Sequence, residues 1–190
     1  MRHAVQRIHM TLAQMRARIA GLTADERGVS AVEFAMLLPL MITLYLGGVE
    51  LSQAISIDRK VSLVSRSVAD LVAQSTTISN SEMTNILNAA AAVAAPYAKM
   101  NLKVTVSSVT IDAQGNAKVV WSDALNTVAR PTNQTVTIPT SLKIANTTLI
   151  WGEVQYAYKP AIGYLITGTM NLTDQIYMRP RQSETVARTS

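Results

Sequence analysis

One acid near the start of a membrane-length apolar run constrains this chain more than any other feature. Val29 to Val49 is 21 residues long with Glu33 as its only charge. At about 1.5 Å per residue a helix over that run would span roughly 31 Å, the thickness of a hydrocarbon core. An ionised acid at the centre of a bilayer costs about 2.5 to 3.5 kcal/mol, so such carboxylates are functional candidates that need a partner. Glu33 also lies only about 6 Å along the helix from Val29, within snorkelling reach of the interface. It is therefore either an interfacial group or half of a pair.

The run reads as a transmembrane helix. A cleaved secretory signal is the competing reading, but its apolar core is shorter and ends at a small-residue cleavage site, whereas here helical periodicity continues past Glu50. The first 28 residues carry Arg2, Arg7, Arg16, Arg18 and Arg27 against Asp25 and Glu26, while residues 29–190 carry twelve basic and ten acidic groups. Basic flanks stay on the cytoplasmic side, which predicts the amino terminus inside and the carboxy terminus outside. No basic stripe interleaved with aromatics points to nucleic acid. The chain contains no cysteine, so an outer domain must hold together through its own core, without disulfides or thiolate metal sites.

Apolar residues at Val5, Ile8, Leu12, Met15, Ile19 and Leu22 predict a basic amphipathic helix before the span; lying on anionic lipid or serving as an organelle-targeting sequence are its two readings. Beyond the span, Leu51, Ile55, Val61, Val64, Val68 and Leu71 keep the helical period, so span and extension should form one long helix, kinked at Pro39 and loosened at Gly47-Gly48. Ser75 to Ser81 reads as a polar hinge. Ser79 and Glu82 have capping-box spacing for a second helix that runs to Ala95 and stops at Pro96.

Strand signals follow. Leu102–Ile111 is β-branched and partly alternating, Asp112-Ala-Gln-Gly-Asn116 reads as a turn, and Ala117–Trp121 as the hairpin partner. A polar loop with Pro131 and Pro139 leads to a long strand over Thr147–Tyr158, in which Trp151, Tyr156 and Tyr158 read as core or sheet-face residues, and a last short strand covers Leu172–Met178. The tail Arg179–Ser190 reads as polar and frayed. The expected organisation is a leader (1–28), a transmembrane helix (29–49), a helical extension (50–75), a small α+β domain with an antiparallel sheet and one packed helix (76–178), and a tail (179–190).

No pattern of catalytic residues stands out: the acids after Gly28 show no paired arrangement, and there is no nucleophile motif or glycine-rich phosphate loop. His3 and His9 are too far from other ligand types to suggest a metal. The expectation is a non-enzymatic protein with no cofactor. Asn133, Asn146 and Asn171 open glycosylation-type triplets, a pattern frequent in threonine-rich chains. Gly28 taken alone reads as a turn ahead of a helix.

Taken with its neighbours, Gly28 acquires another meaning. Gly28, Val29, then Glu33 and Phe34 as the fifth and sixth residues after the glycine, resemble the processing site of type IVb prepilins. The longer run Arg27-Gly-Val-Ser-Ala-Val-Glu-Phe-Ala-Met-Leu-Leu-Pro39 with Gly48-Val-Glu50 resembles the TadE-like pseudopilin family of tight-adherence pilus machinery. Glu153-Val-Gln-Tyr156-Ala-Tyr158-Lys-Pro160 and Met178-Arg-Pro-Arg181 are similar to carboxy-terminal pieces of that family. The resemblance implies cleavage between Gly28 and Val29 by a membrane-embedded prepilin peptidase. It also implies partners among other pilus or pseudopilin subunits and an inner-membrane assembly platform. The main rival is an uncleaved bitopic envelope protein whose outer domain binds a protein partner.

Overall fold

The computed structural model describes residues 26–160, 163 and 167–189, so the amphipathic helix expected over Met1–Leu22 lies outside the described residues. The chain divides into two compact units, Met1–Gly48 and Val49–Ser190. Helix α1, Glu26–Ala73, is 48 residues long and joins span to extension as expected. Helical assignment continues through both Pro39 and Gly47-Gly48. Four residues after Pro39, the Thr43 hydroxyl donates to the proline's carbonyl at 2.8 Å, a local bond that hydroxyl side chains make inside helices.

In the second unit the remainder of α1 turns a stripe inward: Ala54, Ile57, Val61, Val64, Val68 and Val72 are all buried, spaced at three and four residues as one helix face requires. Helix α2, Asn80–Val93, begins at the expected capping box. The Glu82 amide donates to Ser79 Oγ at 3.3 Å and the Ser79 amide to Glu82 Oε2 at 2.8 Å. The bond from the Ser79 backbone, with help from its hydroxyl, holds the Glu82 carboxyl below the usual range. Met83, Leu87, Ala90 and Ala91 form the inward face of α2.

The main sheet contains β2 (Leu102–Ile111), β3 (Ala117–Leu125), β4 (Thr135–Val136), β5 (Thr147–Tyr158) and β6 (Met170–Met178). Its order is β4-β3-β2-β5-β6, and every neighbouring pair is antiparallel. The architecture is therefore α+β, as expected. The strands β2 and β5 occupy the expected ranges; β3 runs four residues further, and β6 starts two residues earlier. In the turn, Asp112 Oδ1 accepts from the amides of Gln114 and Asn116. A bulge makes Ser108 pair with Trp121 and Val109 with Val119, leaving Val120 unpaired and 45% exposed.

Alternation along the strands sends side chains to two cores. Leu102, Val104, Val106, Ile150, Val154, Tyr156 and Tyr158 join the core shared with the helices, while Val109, Ile111, Leu149 and Trp151 join a smaller cluster that Ile138 closes. At Gly152 the helix comes close: an added Cβ would lie 3.1 Å from Ala69 Cβ and 3.1 Å from the Ser65 carbonyl. This glycine sets how near α1 approaches the sheet.

Two expectations are corrected. The tail is not frayed: the Arg181 amide donates to the Ala73 carbonyl at 2.8 Å, satisfying a helix-end acceptor, and Arg181 pairs with Asp70 at 2.5 Å. Val186 is 1% exposed, its carbonyl accepts from Trp121 Nε1 at 2.7 Å, and β7 (Ala187–Arg188) pairs in parallel with β1 (Thr77–Ile78). The same pairing corrects the reading of Ser75 to Ser81 as a polar hinge, since Ile78 is 1% exposed. A polar tail is ordered because its partners are far away in sequence, which no local pattern reveals.

Candidate functional site

The residues singled out in the sequence all lie on α1. Gly28 is inside the helix, not in a turn ahead of it, and a Cβ there would meet nothing within 4 Å. Neither packing nor a positive φ therefore requires glycine at that position. Val29, Glu33, Phe34 and Pro39 are all exposed. Val29 and Glu33 are four residues apart, hence neighbours on one helix face.

Around them the helix presents apolar surface without cover: Val32, Met36, Leu37, Leu40, Met41, Leu44 and Tyr45 are each more than half exposed. A core helix of a water-soluble domain would be mostly buried. Here no part of the most apolar window is buried, and among the described residues α1 is the helix long and apolar enough to cross a membrane. Exposure on this scale marks a surface that meets lipid or protein.

A second constellation sits on the sheet face away from the helices, and sequence reasoning missed it. Arg130 lies 4.0 Å over the Trp151 ring and forms a two-pronged ion pair with Glu153, its Nη2 reaching Glu153 Oε1 at 2.8 Å and Nη1 reaching Oε2. Trp151 stacks on Tyr177 with centroids 5.3 Å apart, and its Nε1 donates to Gln175 Oε1 at 3.2 Å. Burial first, then the Glu153 charge, pushes the Tyr177 hydroxyl upward. A groove of about 700 Å³ over this face is lined by Lys103, Thr105, Arg130, Glu153, Gln155 and Gln175, among others. Register explains the grouping, because Ser107, Trp151 and Tyr177 form one cross-strand row and Thr105, Glu153 and Gln175 the next. Period-two alternation from Trp151 places Glu153 on the same face; the return of Arg130 from its loop has no such signal.

A third group lies where α1 leaves its apolar stretch. Glu50 is 1% exposed, and the Tyr158 hydroxyl donates to its carbonyl at 3.4 Å and contacts Gln53 Oε1 at the same distance. Burial, followed by the charges of Glu50 and Tyr97, raises the Tyr158 hydroxyl above its ordinary range. Among the described residues no cluster of His, Cys, Asp or Glu could hold a metal ion.

With this geometry in view, the comparison with known families has a clear location. Residues 28–70 match the family model for TadE-like protein. Over this stretch the chain is similar to TadE-like proteins. The match starts at Gly28, takes in the uncovered apolar half of α1, and ends near the helix's last turn; the TadE-like family suggests a component related to the Tad pilus. No curated protein and no solved structure matches the chain.

Proposed function

We propose that this chain is a non-enzymatic, pseudopilin-like, single-pass component of tight-adherence (Flp/type IVb) pilus assembly, processed by a prepilin peptidase between Gly28 and Val29. In this reading it sits in the bacterial inner membrane with its amino terminus cytoplasmic and its α+β domain outside. The observation that carries the proposal is the coincidence of the TadE-like match, beginning at Gly28, with a helical stretch whose apolar surface is left uncovered. A glycine that the fold itself does not require is supporting evidence, since a peptidase approaching the backbone closely benefits from the missing side chain. Glycine also weakens a helix by about 1 kcal/mol relative to alanine, which eases local unwinding at a scissile bond.

Cleavage would convert the Val29 amide into an α-amine. That cation is the partner proposed for Glu33, supplied by a neighbouring subunit, because an acid in low dielectric is costly to leave unpaired. Processing would then license assembly, with the exposed apolar face of α1 exchanging lipid for other helices.

The mass of the mature chain from native envelopes tests the cut. A protein starting at Val29 is expected; one retaining Met1 to Gly28 beside a working peptidase would replace this reading with that of an uncleaved envelope protein. Glu33→Ala tests the pairing: cleavage should persist while incorporation into the pilus machinery is lost, and normal incorporation would refute the role given to Glu33.

A further inference from the structure

We infer that β6 is a docking edge, which takes up an extended segment of another protein as an added strand of the main sheet, with a lysine or arginine of that segment opposite Asp174. The edge lies wholly within the Val49–Ser190 unit, the head, and the inference stands apart from the reading of the apolar stretch.

The two rims of the main sheet are treated differently. The rim along β3 is closed: β4 pairs with Ala117 and Lys118, Val119 bonds the backbones of Asn133 and Gln134, and the tail reaches Trp121 and Asp123 through Val186 and Arg188. β6 is the other rim. It pairs with β5 along its whole length, Met170–Met178, without a bulge, and among the described residues no backbone bond from outside the sheet reaches it. Its sequence contains no proline and no lysine. Bulges, proline, lysine and inward-pointing charge all keep an edge strand from accepting another strand, and here only the last is present.

That charge is Asp174. Alternation gives β6 a polar row, Asn171, Thr173 and Gln175, and a row facing the helices in which Met170, Leu172, Ile176 and Met178 pack half-buried against the main core. Asp174 interrupts the second row at its midpoint, opposite Val154, which is 2% exposed. It is half-buried, is the one charged residue of β6, and has no hydrogen bond or ion pair among the described residues. It also borders the sheet-face groove, where Arg130 and Glu153 neutralise each other and Lys103 is the remaining charged residue.

These features specify the occupant. In strand addition the backbone bonds along an open edge supply affinity, and side chains at alternate positions supply specificity. Apolar residues of the arriving strand would cover the open flank of Leu172 and Ile176, and a cation between them would meet the carboxylate. A second copy of β6 is the wrong partner, because the antiparallel pairing that matches Met170 with Met178 and Leu172 with Ile176 sets Asp174 against Asp174.

Full chain in neutral detergent can be titrated against the fluorescent peptide Thr-Val-Thr-Lys-Thr-Val-Thr, and against its counterpart with glutamate in place of lysine, with anisotropy as the readout. The lysine peptide should bind about fivefold more tightly. Asp174→Lys should invert that order and Asp174→Asn should level it; a preference that ignores position 174, or a lysine peptide that does not bind, overturns the inference. Two further lysine peptides, N-methylated at alternate residues along one edge or the other, separate strand addition from side-chain contact. One should lose binding while the other keeps it, and equal behaviour of the two overturns the inference. A nitroxide at Asn171→Cys, in a chain with no native cysteine, should show no dipolar broadening, since broadening would put a second copy on this edge and remove the proposed partner. None of these outcomes bears on the cut at Gly28 or on the spanning helix.

Discussion

The two stretches of α1 belong to one helix and live under opposite rules. From Val29 to Tyr45 the side chains are largely apolar around the helix, with Glu33 as the one charge, and mostly uncovered; from Ala54 to Ala73 charged residues return at Asp58, Arg59, Lys60, Arg66 and Asp70, and a stripe through Ile57, Val61, Val64, Val68 and Val72 is buried against a sheet while Ile55, Leu63 and Leu71 stay exposed. The difference is periodicity: a helix apolar all round asks for lipid or other helices as its solvent, whereas a helix apolar on one face brings its own core.

A matched pair of substitutions gives the sharpest test and the largest expected effect. Ile57→Ala removes a side chain that is 3% exposed, and Ile42→Ala one that is 46% exposed. In detergent-solubilised full chain, denaturant unfolding of the head should lose about 2 to 5 kcal/mol in the first case and essentially nothing in the second. Equal losses would mean that the apolar stretch shares the head's cooperative unit. Next in size, Gly152→Ala brings a methyl group to 3.1 Å from Ala69 Cβ and the Ser65 carbonyl. It should cost about 1 to 3 kcal/mol by overpacking, measured by the same unfolding curve; a neutral result would show that helix and sheet can part without penalty.

Arg188→Ala is of comparable or smaller effect. Arg188 bonds both oxygens of Asp123, at 2.9 and 3.0 Å, together with the Ile78 carbonyl and Asn80, and its side chain is 18% exposed. Charge-assisted bonds of this kind contribute about 1.5 to 3 kcal/mol. The variant should lose stability on that scale, and proteolysis should begin to cut the tail.

The smallest effect concerns pH. Bonds from the Asn116 side chain, then its backbone, hold the Asp112 carboxyl below the usual range. A depressed folded value stabilises the protein above the unfolded value near 3.9 and is lost as pH falls through the folded value. Unfolding of Asp112→Asn between neutral and acid pH should therefore show a shallower acid decline than the parent, and an identical decline would remove this turn from the acid response.

How much of this was legible in the sequence follows the distance between partners. The capping box of Ser79 and Glu82, the turn around Asp112 and the alternating strands over 102–111 and 147–158 depend on residues close in the chain, and local pattern located them. Trp121 meets Val186 across 65 positions, and Arg130 returns to Glu153 across 23; neither contact leaves a periodic trace. The burial of Glu50 was illegible for a related reason, because a carboxylate on a helix reads as solvated until the tyrosine packed beside it is known. Gly28, Val29, Glu33 and Phe34 are the reverse case: sequence made them conspicuous, while the folded chain makes no tertiary use of Gly28.

The indoles of this chain are placed as built-in optical probes. It has two tryptophans: Trp121 is bonded to the carbonyl of Val186 in the clasped tail, and Trp151 lies beneath the Arg130 guanidinium. Their emission would report an opened tail or an altered groove floor, respectively, while remaining blind to whatever the apolar stretch of α1 encounters. One tryptophan-to-phenylalanine exchange at a time would turn the unmodified head into two separate reporters.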